Sequence, residues 1–258
     1  MTDRRAVLLS ARPRPPSGAA AWTPASLSPL AWWYAHADYV TESGGAVSQW
    51  SDRSGSGNHL TQGNASLQPA FSSTGWNGTK GAVTFDGSLD RLSATSGTIV
   101  TAFDGEDRPQ SVFMTLEWLD LDADQGLAEW FDSGGTNRYT LRTNNVSAET
   151  GQLRYQRRDG ASTTTNTGAT SFGLSRATLA WIFTGTAITT YVNGTLDLNG
   201  AANNKGSITV NQFMLGHAPD DGFLFNGRFA EVVVTNTVLT GADYASYRTY
   251  AQSEWGGL

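Results

Sequence analysis

Between residues 179 and 198 the chain alternates apolar and polar side chains around Asn193-Gly194. Ile188, Thr190 and Val192 share one parity and Thr189, Tyr191 and Asn193 the other, the period of two that gives a sheet one buried face. Asn followed by Gly supplies the two positive-φ positions of a tight hairpin. This predicts strand, turn, strand. Similar patterns in 207–216 and 227–235 predict further strands in the same layer as the hairpin, with the remaining strands forming the facing layer. Residues 112–118 and 127–132 also read as strands, on either side of an acidic loop. Near the end, Thr240 ahead of residues 242–252 predicts a short capped helix before Trp255.

A second hairpin is predicted from residues 137–143 and 151–158. One parity carries Tyr139, Leu141, Leu153, Tyr155 and Arg157, and it reads as the inner face. The other carries Arg138, Thr140 and Arg142, then Gln152, Arg154, Gln156 and Arg158. Four guanidinium groups and two amides form a planar donor array suited to carboxylate or sulfate groups. Arginines side by side on paired strands repel one another unless a nearby Asp or Glu, an anion or solvent offsets them.

Composition narrows the class. Only 16% of the 258 residues are charged and there is no cysteine, which rules out a disulfide framework, a thiolate metal site and a cysteine nucleophile. A turn-rich sheet protein with one core is the expectation. The first sixteen residues carry +3 of the net charge of -6, through Arg4, Arg5, Arg12 and Arg14 against Asp3, which leaves -9 for the rest. An acidic body repels nucleic acid and anionic membrane. Residues 1–21 are rich in Arg and Pro and are expected to form an extended arm outside a domain spanning 22–258, docking the protein to a larger assembly through those four arginines. The opening apolar stretch is too short for a signal peptide. The Asn-x-Ser/Thr sequons at Asn64, Asn77, Asn145 and Asn193 read as a by-product of turn composition.

Val47-Ser-Gln-Trp50, Asp52, Ser54-Gly55, Gly57-Asn58, Gln62 and Gln68-Pro69, followed by Val83-Thr-Phe-Asp-Gly87 and Asp90-Arg-Leu92, resemble the laminin-G-like branch of the concanavalin A-like lectin/glucanase superfamily. Tyr191-Val-Asn-Gly194, the run from Gly227 to Val234 and the last helix fit the same pattern, so the resemblance covers residue 27 to the end. It implies an all-β, two-sheet antiparallel jelly-roll sandwich. Ala35 and Ala230 stand where that family carries acidic residues, so a calcium site is not inherited whole. Trp50, Phe85, Leu92, Trp181 and Tyr191 are expected in the core, and Asp52 and Asp86 are expected to cap turns.

Glycosidases of that superfamily place two carboxylates on one strand face. Here the nearest pair, Glu117 and Asp120, is three residues apart and points to opposite sides. His36, His59 and His217 stand in no lyase-like motif and read as surface or loop histidines. Asp120, Asp122 and Asp124 alternate ahead of Gly126, a partial calcium-loop pattern. Asp220-Asp221 is a weaker acidic spot. Trp76 and Phe223 are expected as exposed loop aromatics that could stack on a sugar. The expectation is therefore a non-catalytic, lectin-like protein that binds cell-surface polysaccharide, with no cofactor apart from possible calcium. The finer expectation is a spike or fibre subunit on a phage or gene-transfer-agent particle. A polysaccharide hydrolase or lyase, and a structural or adhesion module without glycan binding, are the alternatives.

Overall fold

The computed structural model describes residues 21–147, 150–160, 162–218 and 222–258. The arm arginines Arg4, Arg5, Arg12 and Arg14, and Asp220-Asp221, lie outside the described residues. Every strand pairing is antiparallel, and the ladders fall into two facing sheets. The back sheet runs from Asn226–Thr235 through Gln110–Trp118, Arg176–Phe183 and Ala187–Val192 to Thr195–Ala202. Ala31–Tyr34 and Ala82–Asp86 share the other side of Asn226–Thr235, one at each end. The front sheet runs from Leu60–Thr61 through Leu92–Ala94, Gln212–Leu215, Gln125–Phe131, Asn137–Ser147 and Thr150–Asp159 to Thr163–Gly173.

Asn193 and Gly194 take φ of 50° and 86°, and Ile188, Thr190 and Val192 are buried, as the alternation requires. The segment 179–198 holds a second turn at residues 184–186, so it contributes three strands rather than two. Residues 207–216 depart from expectation. Their strand Gln212–Leu215 pairs with Leu92–Ala94 and Gln125–Phe131 in the front sheet, away from the hairpin. An alternating pattern specifies a face, and either sheet has one to offer.

Both edges of the sandwich are closed. On one side Ala46–Trp50 pairs with Leu60–Thr61 of the front sheet and, at Ala46, with Ala70–Ser72, which continues into Ala82–Asp86 of the back sheet. On the other side Asp197 accepts hydrogen bonds from Thr190 Oγ1 at 2.9 Å and Thr170 N at 2.6 Å, and Asn203 donates to Asn166. A Cβ on Gly168 would lie 1.7 Å from Asp197 Oδ2, so this clasp requires glycine there. The double layer thus curls into a near-barrel.

Trp33, Trp50, Trp130, Phe213, Phe85 and Phe229 fill the space between the sheets. Trp33 stacks on Phe213 at 5.5 Å. Arg157 is also fully buried, its guanidinium 4.6 Å from the rings of Tyr139 and Phe183, paired with Asp107 and donating to Asn203 O at 2.9 Å. A charge this deep persists only with such partners. Asp52 ties the first tryptophan strand to its loop by accepting from Trp32 N, Ser54 N and Asn58 N, and Asp86 accepts from Ser88 N. Both are the expected turn caps.

The helix Gly241–Trp255 starts on a capping box between Thr240 and Asp243. Its buried Tyr244, Tyr247, Ala251 and Trp255 repeat at helical spacing and cover the outer side of the back sheet. Phe113 lies 5.5 and 5.2 Å from Tyr244 and Tyr247. Under this helix Glu231 is fully buried, accepting from Trp32 Nε1 at 2.6 Å and from the Tyr250 hydroxyl at 3.1 Å.

Candidate glycan-binding face

The strands Asn137–Ser147 and Thr150–Asp159 pair in the register that side-chain alternation predicts. Arg138 faces Arg158, Thr140 faces Gln156 and Arg142 faces Arg154, while Leu141 faces Tyr155 across the core side. The strands run longer than expected, and the hairpin tip, residues 148–149, is outside the described residues. Four arginines therefore project from the outer face of the front sheet. Ser93, Met214, Glu129, Thr140, Gln156 and Thr165 form one transverse row on that face, polar apart from Met214.

Two carboxylates stand among the guanidinium groups. Glu129, on Gln125–Phe131, is fully buried, accepts from Thr140 Oγ1 at 2.7 Å and lies 3.9 Å from Arg138 Nε. Asp124 lies 3.9 Å from Arg142 Nη1 and 3.8 Å from Arg154 Nη1, and its other oxygen accepts from Asn145 N at 2.8 Å. These acids offset the repulsion between facing arginines. Sequence reasoning placed neither in the site. The available signal was the single acid inside the apolar run 127–131, since a charge buried within a strand needs a partner of opposite sign.

The four arginines are not equivalent. Arg138 and Arg142 are buried, whereas Arg154 and Arg158 are half-exposed. Arg154 Nε also donates to Thr167 Oγ1 and Gln156 Nε2 to Thr165 Oγ1, each at 3.3 Å, while Gln152 Nε2 reaches Ala169 O at 3.5 Å. Arg158 has no ion-pair partner among the described residues. Phe223 is half-buried with the Arg142 guanidinium 4.4 Å over its ring, so it forms part of the face's wall. A Cβ on Gly126 would come within 2.6 Å of Ala218 N and 2.9 Å of Phe223 O, so glycine lets this wall lie directly on the sheet.

Other candidates sit elsewhere. Trp76 is only 1% exposed, packed edge-on to Trp255 with Arg176 5.0 Å over its ring, and cannot serve as the loop aromatic expected there. Asp120, Asp122 and Asp124 do not converge. Asp120 Oδ1 accepts from Asp122 N at 2.7 Å and Asp124 turns to the arginines, and among the described residues no three acidic or histidine side chains are grouped to hold a metal ion. Glu117 lies between Arg228 at 3.0 Å and Arg176 at 3.5 Å on the other sheet. His36 and His59 are exposed, but His217 is half-buried; burial, with Arg91 nearby, lowers it to about 4.

No family model matches the sequence, and neither does any curated protein. Solved structures match in fold. The CBM40 of the Ruminococcus gnavus IT-sialidase, bound to α2,3-sialyllactose, superposes with a TM-score of 0.50 at 16% identity, over 63% of this chain and 93% of that one. The fold is an antiparallel β-sandwich. An arabinofuranosidase complexed with arabinofuranosyl-α-1,2-xylobiose gives 0.59 at 13% identity over 86% of this chain and 58% of that one. Botulinum neurotoxin type C, whose way into the cell depends on interaction with two ganglioside molecules, gives 0.59 at 11% identity over 89% and 53%. This chain therefore spans little more than half the length of the latter two. Identities this low carry the architecture alone.

Proposed function

We propose that this chain binds acidic polysaccharide through the outer face of its front sheet, without cleaving it. The observation that carries the reading is the unequal neutralisation of the arginines. Glu129 pairs with Arg138 and Asp124 sits between Arg142 and Arg154, while half-exposed Arg158, next to Gln156 on the same face, has no carboxylate partner among the described residues. Four residues of strand place the Cα atoms of half-exposed Arg154 and Arg158 about 13 Å apart, a span that suits charged groups on a repeating polymer rather than one small anion. Neighbours in fold bind or process carbohydrates, which supports a glycan as the partner. The non-catalytic reading is supported by the acids themselves, since Glu129 has no exposure and Glu117 is locked between two arginines. The finer reading is a receptor-binding spike or fibre subunit of a phage-like particle, attached by the basic arm to its assembly.

The test is binding to immobilised alginate and dextran sulfate, with neutral dextran as control. Each exposed contact is worth under about 1 kcal/mol, so Arg154→Ala with Arg158→Ala should weaken binding by up to about thirtyfold and flatten its salt dependence. Unchanged binding by that variant, with its circular dichroism intact, would reject the face. Release of reducing ends from either polymer, lost in Glu129→Gln, would reject the non-catalytic reading.

A further inference from the structure

A separate cavity of about 520 Å3 opens on the opposite side of the molecule, between residues 21–23 and the C-terminal helix. Its size falls in the range of small-molecule sites. Trp22 forms one wall, half-buried and resting on Tyr250 at 5.9 Å with the rings tilted by 59°. Ser246, Thr249 and Ser253 line the helix side with Glu254, and Thr23 completes the rim. Ser246 and Thr249 spend their hydroxyl protons on Ala242 O and Ala245 O one turn back, which leaves their oxygens as acceptors. One oxygen of Glu254 accepts from Lys80 Nζ at 2.6 Å and from the Tyr34 hydroxyl. Burial pushes Glu254 upward, but those two partners hold it below the ordinary carboxylate value, so it is ionised at neutral pH.

From this lining we infer a second binding site, distinct from the arginine face, for an uncharged sugar of one or two rings. An indole presents an electron-rich face to the slightly positive C–H face of a pyranose. The opposite edge of such a ring carries hydroxyl donors, which is what a row of acceptor oxygens and a carboxylate can hold. The lining holds no Lys or Arg to pair with a uronic or sialic carboxylate, and Glu254, its charge already matched by Lys80, offers only acceptor oxygens, so the two sites divide glycans by charge.

The experiment uses the full chain and saturation-transfer NMR with methyl β-glucopyranoside, methyl β-galactopyranoside, methyl α-mannopyranoside, N-acetylglucosamine and glucuronic acid. At least one uncharged glycoside should show millimolar binding and glucuronic acid none. Trp22→Ala, and independently Ser253→Leu at the cavity mouth, should each lower that affinity at least tenfold. Arg154→Ala with Arg158→Ala should leave it unchanged, so this site and the acidic-polymer site fail separately. The inference is overturned if no uncharged glycoside binds, if binding survives both cavity variants with the fold intact, or if it is lost in the arginine variant. It is also overturned if light scattering shows a dimer that Trp22→Ala dissociates, because the cavity is then a contact between copies of the chain.

Discussion

Glu231 is a carboxylate placed where only its hydrogen-bond donors can reach it. Burial raises it from an ordinary value of 4.5 to about 7, against the pull of Trp32, Tyr250 and Trp255. Arg53, over the rings of Trp32 and Tyr34, opposes the rise, and nearby Tyr34, Tyr247 and Tyr250 are themselves pushed up by burial. The folded state thus binds this proton more tightly than the unfolded state. Its stabilising contribution is complete below about pH 4.5 and is lost as pH rises through about 7, an effect of about 3 kcal/mol. Asp90, raised to about 6 by partial burial and by Asp86, adds to the slope with the same sign, whereas His217, lowered to about 4, opposes it up to about pH 6.5. Urea denaturation should therefore show stability falling from about pH 6.5 to 8, and Glu231→Gln should remove most of that fall. A Glu231→Gln profile that falls as steeply as the wild type's would contradict the burial argument. Single residues in the site were legible where parity decides: the arginine row, the inner Tyr139 and Leu141, and the buried Arg157 all follow from alternation. Glu129 and Asp124 were not, because which strand lies beside Asn137–Ser147 is a fact of topology that no local pattern contains.

Among the elements, the capping box at Thr240 is the one whose sequence signature and geometry agree most directly. Thr240→Ala removes the acceptor for Asp243 N and should cost about 1 kcal/mol, seen as a lower denaturation midpoint without loss of helical signal. Gly168→Ala should cost more, because any Cβ there displaces Asp197 from Thr170 and Thr190 and opens one edge of the sandwich. Strands with one wetted face were readable from alternation. Gln110–Trp118 is buried along nearly its whole length, since the core lies on one side and the C-terminal helix on the other, and its pattern is correspondingly continuous rather than alternating. Pairs as short as Leu60–Thr61 carry too few residues to show any period.

At the scale of the whole molecule, the side chains of Asp120, Asp122 and Asp124 do not converge on one point, so chelator should leave the melting temperature unchanged; a drop would restore a calcium role for Asp120 and Asp122. Deleting residues 1–21 should preserve the melting temperature while preventing incorporation into an assembly, whereas unfolding of the truncated chain would show that the arm belongs to the core. The fold class was legible from composition, turn chemistry and the jelly-roll resemblance, while the assignment of each strand to a sheet was not.

Ala31–Tyr34 finds its partner only at residues 231–234, and that has a consequence in time. A ribosome adding about 5 to 20 residues per second takes roughly 10 to 40 s to make the intervening chain. For that interval Ala31–Tyr34 and Ala82–Asp86 cannot be joined to Gln110–Trp118 and the rest of the back sheet, because Asn226–Thr235, which pairs with all three, is made last among them. Folding is therefore largely post-translational and rich in long-range pairings that form slowly. A nascent chain arrested at residue 225 should stay protease-sensitive, and one extended past Trp255 should become resistant, with a holding chaperone occupying the gap between the two.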